Sequence, residues 1–263
     1  MSIKRPVFLF LWLLFIAGLT VVSLRAEPVG STLNEADWQQ IQRQLPKRAS
    51  SSIAGGEVIL GRPDPSIQQQ FGWSVAAYGD VVAVGASGDT NVAQAAKYAG
   101  SAYIFERNAG GTNAWGLVQK LYASDPVSSG FFGSGIALDG DVLVVGAYGV
   151  SGSRGAAYVF ERNAGGTNAW QQVQKLLASD GIGLDFFGSK VAISGDIILA
   201  GANGQDTMGN GAGAVYVFER NANGTNAWGQ SKKLMAADGS HSAYFGQSVS
   251  VRGDVAVIGA NGA

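Results

Sequence analysis

Side chains able to do chemistry are few in this chain and widely spaced. It has one histidine, His241, and no cysteine. A Ser–His–acid arrangement cannot be inferred from one His in a variable loop, and the missing cysteines remove thiol nucleophiles, thiolate metal sites and disulfides. Oxygen donors remain: Asp89, Asn91, Asn203, Asp206 and Asn210 sit in loops that differ between otherwise similar segments, and they are of the type a hard cation takes. No loop has the dense acidic spacing needed to supply roughly six to eight oxygens, so a solvated Gly/Asn loop is the plainer reading and no cofactor is expected.

Two further features suggest ligand contact. Arg252-Gly253-Asp254 spells a cell-attachment tripeptide, but its Gly-Asp fills a turn that three other segments fill with Gly-Asp after Tyr78, Asp139 and Ser194. Turn chemistry already explains that glycine. Trp73 is unlike its counterparts Ser134, Ser189 and Gln247, which marks it as an exposed contact. Trp115, Trp170 and Trp228, with Tyr103/Phe105, Tyr158/Phe160 and Tyr216/Phe218, recur strictly and read as core rather than as a carbohydrate platform. Glu106, Glu161 and Glu219 recur beside Arg107, Arg162 and Arg220, so they read as a hairpin feature with cross-strand or solvent pairing, not as a unique acid–base pair.

The elements that position these residues follow from a repeat. Phe132-Gly133 leads through Asp139-Gly140-Asp141 to Gly146-Ala147, and the same frame starts at Phe71, Phe187 and Phe245, a period of about 60 residues. Each copy divides into four short strands. In the second copy these are Ser134 to Leu138, Val142 to Val145, Ala157 to Glu161 and Trp170 to Ala178, with a tight hairpin at Asp139-Gly140-Asp141. A four-stranded sheet apolar on both faces is stable only when neighbours cover it. Radial stacking does so, and the fold class is therefore all-β, a β-propeller of four-stranded antiparallel blades. A sandwich is the alternative, but it does not require copies so alike in spacing and loop chemistry.

Lys4 and Arg5, an apolar run from Val7 to Val22, and Ser23-Leu24-Arg25-Ala26 read as a secretory signal cut after Ala26; an uncleaved signal anchor is the alternative. Removing Lys4, Arg5 and Arg25 takes 18 basic residues to 15 against 19 acidic ones, a mature charge of -4. That balance, with scattered basic residues, gives no footprint for nucleic acid and no membrane contact beyond the signal segment. Residues 27–56 hold a short helix with Leu33, Trp38, Ile41 and Leu45 on one face, then a Ser-rich linker. Val58 to Asp64 reads as the outer strand of a blade. Repeats then occupy 71–131, 132–186, 187–244 and, in part, 245–263.

Phe-Gly-x-Ser, Gly-Asp, Val-Gly-Ala, Gly-x-Ala-Tyr-Val-Phe-Glu-Arg and Lys-Leu-x-Ala-Ser-Asp together resemble the FG-GAP repeat family in its bacterial secreted form, related to the integrin α-chain propeller. The resemblance spans residues 57 to 263. It implies a propeller of about seven blades used in extracellular adhesion or ligand binding. Integrin-type repeats place a calcium-binding Asp-x-Asp-x-Asp-Gly loop between strands one and two. Here Tyr78-Gly79-Asp80, Asp139-Gly140-Asp141, Ser194-Gly195-Asp196 and Arg252-Gly253-Asp254 replace it, and calcium binding is not carried over to them.

Ending one strand pair into its fourth repeat, the chain is expected to be an incomplete fragment of about three and a half blades, from a truncated frame. Such a fragment exposes an apolar blade face and self-associates. The expected function is a secreted, cell-surface or periplasmic non-enzymatic module that binds an extracellular protein or glycan through its variable loops. The alternatives are the scaffold of a polysaccharide-active enzyme and a purely structural array in a larger surface protein.

Overall fold

The computed structural model describes Leu60 and residues 70–262, which belong to one compact unit, Ile59–Ala263. The signal segment, the helix expected near residues 33–45 and the strand expected at Val58 to Asp64, Leu60 excepted, lie outside the described residues. What is described is all-β, an incomplete propeller. Blade 1 consists of β1 (Phe71–Tyr78), β2 (Val81–Ala86), β3 (Ser101–Arg107) and β4 (Trp115–Leu121). Blade 2 is β5 (Gly135–Asp139), β6 (Val142–Ala147), β7 (Ala156–Arg162) and β8 (Trp170–Leu176). Blade 3 follows as β9 (Lys190–Ser194), β10 (Ile197–Ala202), β11 (Ala214–Arg220) and β12 (Trp228–Leu234), and blade 4 holds β13 (Ser248–Arg252) and β14 (Val255–Gly259).

Every sheet is an antiparallel meander in chain order, so local hairpins set its register. Asp139 pairs with Val142, leaving Gly140 and Asp141 as a two-residue loop. Gly140 has φ +56 while Asp141 is not among the positive-φ residues, the pattern of a type II′ turn. The same turn recurs at Gly79, Gly195 and Gly253, with φ between +55 and +57. This is why glycine stands at that point of every repeat.

Alternation along the strands gives each blade two unlike faces. In blade 2, Ile136, Leu143, Val145, Tyr158, Phe160 and Trp170 point back toward blade 1, where they pack with Val81, Ala83, Ile104 and Leu121. Ala137, Val144, Val159 and Leu176 point forward and meet Val191, Ile193, Tyr216, Phe218 and Trp228 of blade 3. A smaller cluster joins Leu199 and Val215 to Val249, Val251 and Ile258 of blade 4. Tyr103, Tyr158 and Tyr216 are fully buried and Trp170 and Trp228 nearly so, which makes these recurring aromatics core, while Trp115 is half-buried against the blade 1 cluster. Each burial of this kind contributes on the order of 2 kcal/mol.

Glycine also sets how closely blades approach. A Cβ on Gly146 of β6 would stand 1.8 Å from the carbonyl oxygen of Gly188, which precedes β9 of the next blade. Gly85 meets the Gly133 oxygen at 2.2 Å in the same way, and Gly201 meets that of Gly246 at 2.3 Å. The glycines of Phe-Gly and of Gly-Ala are thus two halves of one inter-blade contact, with no room for a side chain.

Turn and contact glycines therefore separate in cost. Nothing lies within 4 Å of a Cβ on Gly140, so Gly140→Val carries only backbone strain, about 1–2 kcal/mol. Gly146→Ala drives a methyl into backbone that cannot step aside, and it is expected to cost about 3 kcal/mol or more. Thermal unfolding of the two variants should show the larger loss for Gly146→Ala, despite its smaller side chain.

Candidate ligand-binding face

Loops between strands two and three, and connectors from strand four to the next blade, lie together on one face. Each connector runs beside the loop of the preceding blade: Phe131 N–H donates to the Tyr98 carbonyl, Phe186 N–H to that of Ser153, and Tyr244 N–H to that of Gly211. Each also holds the loop of the blade it leads into, since Gly149 N–H donates to the Gly130 carbonyl and Gly204 N–H to that of Asp185. Sequence variation thus sits on a belt of backbone hydrogen bonds rather than on solvated loops.

The oxygen donors singled out from sequence are divided between separate blades. Asp89 and Asn91 are in the blade 1 loop, and Asp206 and Asn210 are in that of blade 3. Asp89 is 2% exposed, with its carboxylate 2.8 Å from Lys120 Nζ and accepting from Ser101 Oγ at 2.7 Å. Asn91 accepts the Gln94 N–H, and Asp206 accepts the Gly211 N–H. Asn203 donates to Gln247 Oε1 and accepts from Ser189 Oγ. Asp89, Asn91 and Asp206 are thus held within their own blades and Asn203 reaches the next, and among the described residues no cluster of three or more His, Cys, Asp or Glu suited to a metal ion occurs.

Two carboxylates that end the recurring Lys-Leu-x-Ala-Ser-Asp segment, Asp125 and Asp180, have a defined structural role. Asp125 Oδ1 accepts from Tyr158 Oη at 2.9 Å and Oδ2 from Lys175 Nζ at 2.6 Å, so the connector is pinned to the following blade. Asp180 binds Tyr216 and Lys233 in the same way. Burial pushes the Asp125 carboxyl up, but hydrogen bonds from Lys175 and Tyr158 and the Lys175 charge outweigh it and hold it below the usual range; Asp180 follows suit. Desolvation, reinforced by these carboxylates, drives both tyrosines well above the ordinary phenol range. Asp185, 1% exposed, is raised by burial despite the Ile182 N–H it accepts. Its signal was faint, because Gly130 and Ala243 hold its place elsewhere.

The opposite face, built from hairpin turns, is closed by charge pairs. Arg162 lies 2.9 Å from Glu106 of blade 1 and 3.9 Å from Asp141 of its own turn. Arg220 likewise joins Glu161 of blade 2 to Asp196, while Arg107 holds Asp80. The recurring Glu-Arg pair is therefore an inter-blade strut, where a cross-strand or solvent pair was expected. Asp80, Glu106, Arg107, Asp141 and Arg162 line a cleft of about 510 Å³ between blades 1 and 2. Arg252, Gly253 and Asp254 are exposed at the hairpin tip of blade 4, where Gly253 N–H donates to Ser194 Oγ. Trp73 is 54% exposed and lies on β1 rather than on the loop face.

Exposed apolar side chains gather on the loop face instead. Val127, Ile182, Leu184 and Tyr244 are on connectors and Met208 is on a loop, all at least 39% exposed. Behind them Tyr148 stacks on Phe131 at 4.9 Å and meets Phe186 edge-on at 6.0 Å. Ser129, Leu184 and Ser242 share φ near +60, so that conformation belongs to the connector rather than to any one site. Side-chain identity alone changes from blade to blade.

Fold and faces define a β-propeller-type repeat module whose blades are locked together and whose loops vary. A model of the FG-GAP repeat matches residues 57–105, 115–160, 170–218 and 228–263, more than half of the chain, and the protein belongs to that family. The later matches begin at Trp115, Trp170 and Trp228, the first residues of β4, β8 and β12, so the repeating unit runs from one blade's outer strand into the next blade. No curated protein sequence matches. Two crystal structures of Sqt1 from Chaetomium thermophilum are similar at 16% identity, with TM-scores of 0.39 and 0.38, covering 65% of this chain and 37% of theirs. The chain thus spans little more than a third of those proteins, a likeness too slight to bear on function.

The Asp–Tyr–Lys anchors set an acid response. A carboxyl whose folded value lies below its unfolded value of about 3.9 contributes stability above that pH and loses it as pH falls through the folded value. Melting temperature should therefore fall below about pH 4. The Asp125→Asn/Asp180→Asn variant should melt lower at pH 7 and show a flatter acid limb in pH-dependent unfolding.

Proposed function

We propose that this chain is a secreted or cell-surface, non-enzymatic binding module that engages an extracellular protein or glycan through its loop face. The observation carrying this reading is the contrast between the two faces. The turn face is closed by ion pairs repeated from blade to blade, whereas the loop face presents exposed apolar side chains at positions that change between blades. Exposed Ile182, at 57%, and Leu184, at 64%, gain nothing from the core. Apolar groups held on rigid loops offer binding surface at little ordering cost.

An extracellular site agrees with membership of a family whose repeats are typically extracellular, and among the described residues no helix is long and apolar enough to cross a membrane. An enzymatic reading finds less support. Each carboxylate at the cleft between blades 1 and 2 is paired with Arg107 or Arg162, which leaves no free acid–base couple there. The tripeptide at Arg252 to Asp254 sits on the turn face, away from the variable side chains.

Purified chain applied to a glycan array and to immobilised extracellular-matrix proteins tests the reading. Ile182→Asn/Leu184→Asn, chosen because Asn tolerates the φ of +68 at Leu184, should weaken binding by about tenfold or more with little change in melting temperature. Asp254→Glu should leave binding and cell attachment unchanged. Binding that survives the double variant, or is lost with Asp254→Glu, would place the contact elsewhere.

A further inference from the structure

On the turn face, neighbouring hairpins are separated by gaps, and two of these gaps are bridged. Asp139 Oδ2 accepts the Gly195 N–H between blades 2 and 3 at 2.6 Å, and Ser194 Oγ accepts the Gly253 N–H between blades 3 and 4 at 3.0 Å. Each bridge comes from the last residue of strand one. Ala76, Ala137 and Ala192, two residues earlier, pack toward the next blade, so alternation turns this residue the same way.

In blade 1 that residue is Tyr78, which carries its polar side-chain atom at the far end of a ring. Among the described residues no group takes the Gly140 N–H as Asp139 and Ser194 take its counterparts. The gap left between blades 1 and 2 is the cleft of about 510 Å³, lined by Tyr78 with Glu106, Arg107, Gly140, Asp141 and Arg162. Both walls belong to complete four-stranded blades, so the cleft needs nothing beyond the two ends of the array.

The strut at this junction is also less complete than the next one. Arg220 uses Nη1 on Glu161 at 2.8 Å and Nε on Asp196 at 2.9 Å. Arg162 uses Nη2 on Glu106 at 2.9 Å, while Asp141 stays 3.9 Å from its Nη1. Arg162 Nε and Glu106 Oε1 are left buried without a hydrogen-bond partner, a donor and an acceptor that have lost water and gained nothing in its place.

Hydroxyl groups fit this set of unmet partners. Asp80, Glu106 and Asp141 stand against Arg107 and Arg162, and each guanidinium already faces a carboxylate. An anion would have to displace one of those carboxylates, and a cation would meet the arginines. A hydroxyl both donates and accepts, so it suits the Gly140 N–H, the Arg162 Nε–H and the Glu106 Oε1 alike. Tyr78, 51% exposed, adds an aromatic face on which the apolar side of a sugar ring can lie. The volume falls within the range of about 300–1,000 Å³ typical of small-ligand sites.

We propose that the cleft between blades 1 and 2 binds a neutral saccharide, its hydroxyls bonded to the Gly140 N–H and the Glu106–Arg162 pair and its ring laid against Tyr78. This site is at the opposite end of the strands from the loop face and does not rest on ligand binding there.

The full chain carrying Ile182→Asn/Leu184→Asn, which removes the loop-face contact, isolates the cleft. Titration of isotope-labelled protein with glucose, galactose, mannose, N-acetylglucosamine, cellobiose and lactose should shift the Gly140 amide resonance saturably with at least one of them. The Gly195 and Gly253 amides, already bonded, should stay in place. Tyr78→Phe should keep the affinity within about twofold. Tyr78→Ser, which supplies the residue that bridges blades 3 and 4, should weaken it by about tenfold or more without lowering the melting temperature. No saturable Gly140 shift with any of the sugars, undiminished affinity in the Tyr78→Ser chain, or a stronger response to inorganic phosphate overturns the proposal. Loop-face binding can fail without moving any of these readouts.

Discussion

The contact between one blade's Gly-Ala glycine and the carbonyl of the next blade's Phe-Gly constrains everything else in this protein. Carbonyl oxygens come within 1.8 to 2.3 Å of where a side chain would begin, so the inner strands approach as closely as bare backbones allow. The neighbouring phenylalanine is fixed by the same approach: Phe132, Phe187 and Phe245 bridge in parallel to Gly100, Gly155 and Gly213 of the preceding blade. Phe132 and Phe187 then set their rings edge-on against the Tyr and Phe of strand three. Large rings fill the wider outer part of the wedge, and glycine occupies its narrow part.

Farther from the axis, polar groups continue what glycine begins. The Gln119 amide donates to the Trp170 carbonyl and accepts the Trp170 N–H, and Gln174 clamps Trp228 in the same two-handed way. Gln172 and Gln230 fasten the connector residues Ser124 and Ser179 of the preceding blade. With the arginine struts and the Asp–Tyr–Lys anchors, every level of a junction is tied, and the blades form a rigid frame. Variation is concentrated in the loops and connectors, where buried Asp89 and Asp185 change between blades as well as the exposed side chains.

Strands and turns were legible from sequence because they depend on neighbours in the chain. The hairpin at Asp139-Gly140-Asp141 and the strand from Val142 lie where period-two patterning and the Gly-Asp dipeptide put them, with ends shifted by a residue or two. The polar ties were harder to read. Glu106 and Arg162 are partners across a junction, but in sequence each is seen only beside its own repeat's Arg107 or Glu161, which suggests a local pair. Asp125, Lys175 and Tyr158 have counterparts in Asp180, Lys233 and Tyr216, yet the spacing from Asp to Tyr changes from 33 to 36 residues and their meeting depends on the stagger between blades. Asp89 is a further case, since the spacing of an acidic residue in a Gly/Asn loop gives no sign that Lys120 lies beside it.

The offset between repeating unit and blade has a consequence for how such a chain can grow. A unit that begins on an outer strand and ends within the third strand of the following sheet carries the last strand of one blade and the first three of another. Copying that unit inserts no freestanding sheet; it cuts an existing one between its third and fourth strands and supplies both missing parts. Each duplication is thus born stitched to its neighbours on either side, and the array can lengthen without ever passing through a form that has an unattached blade.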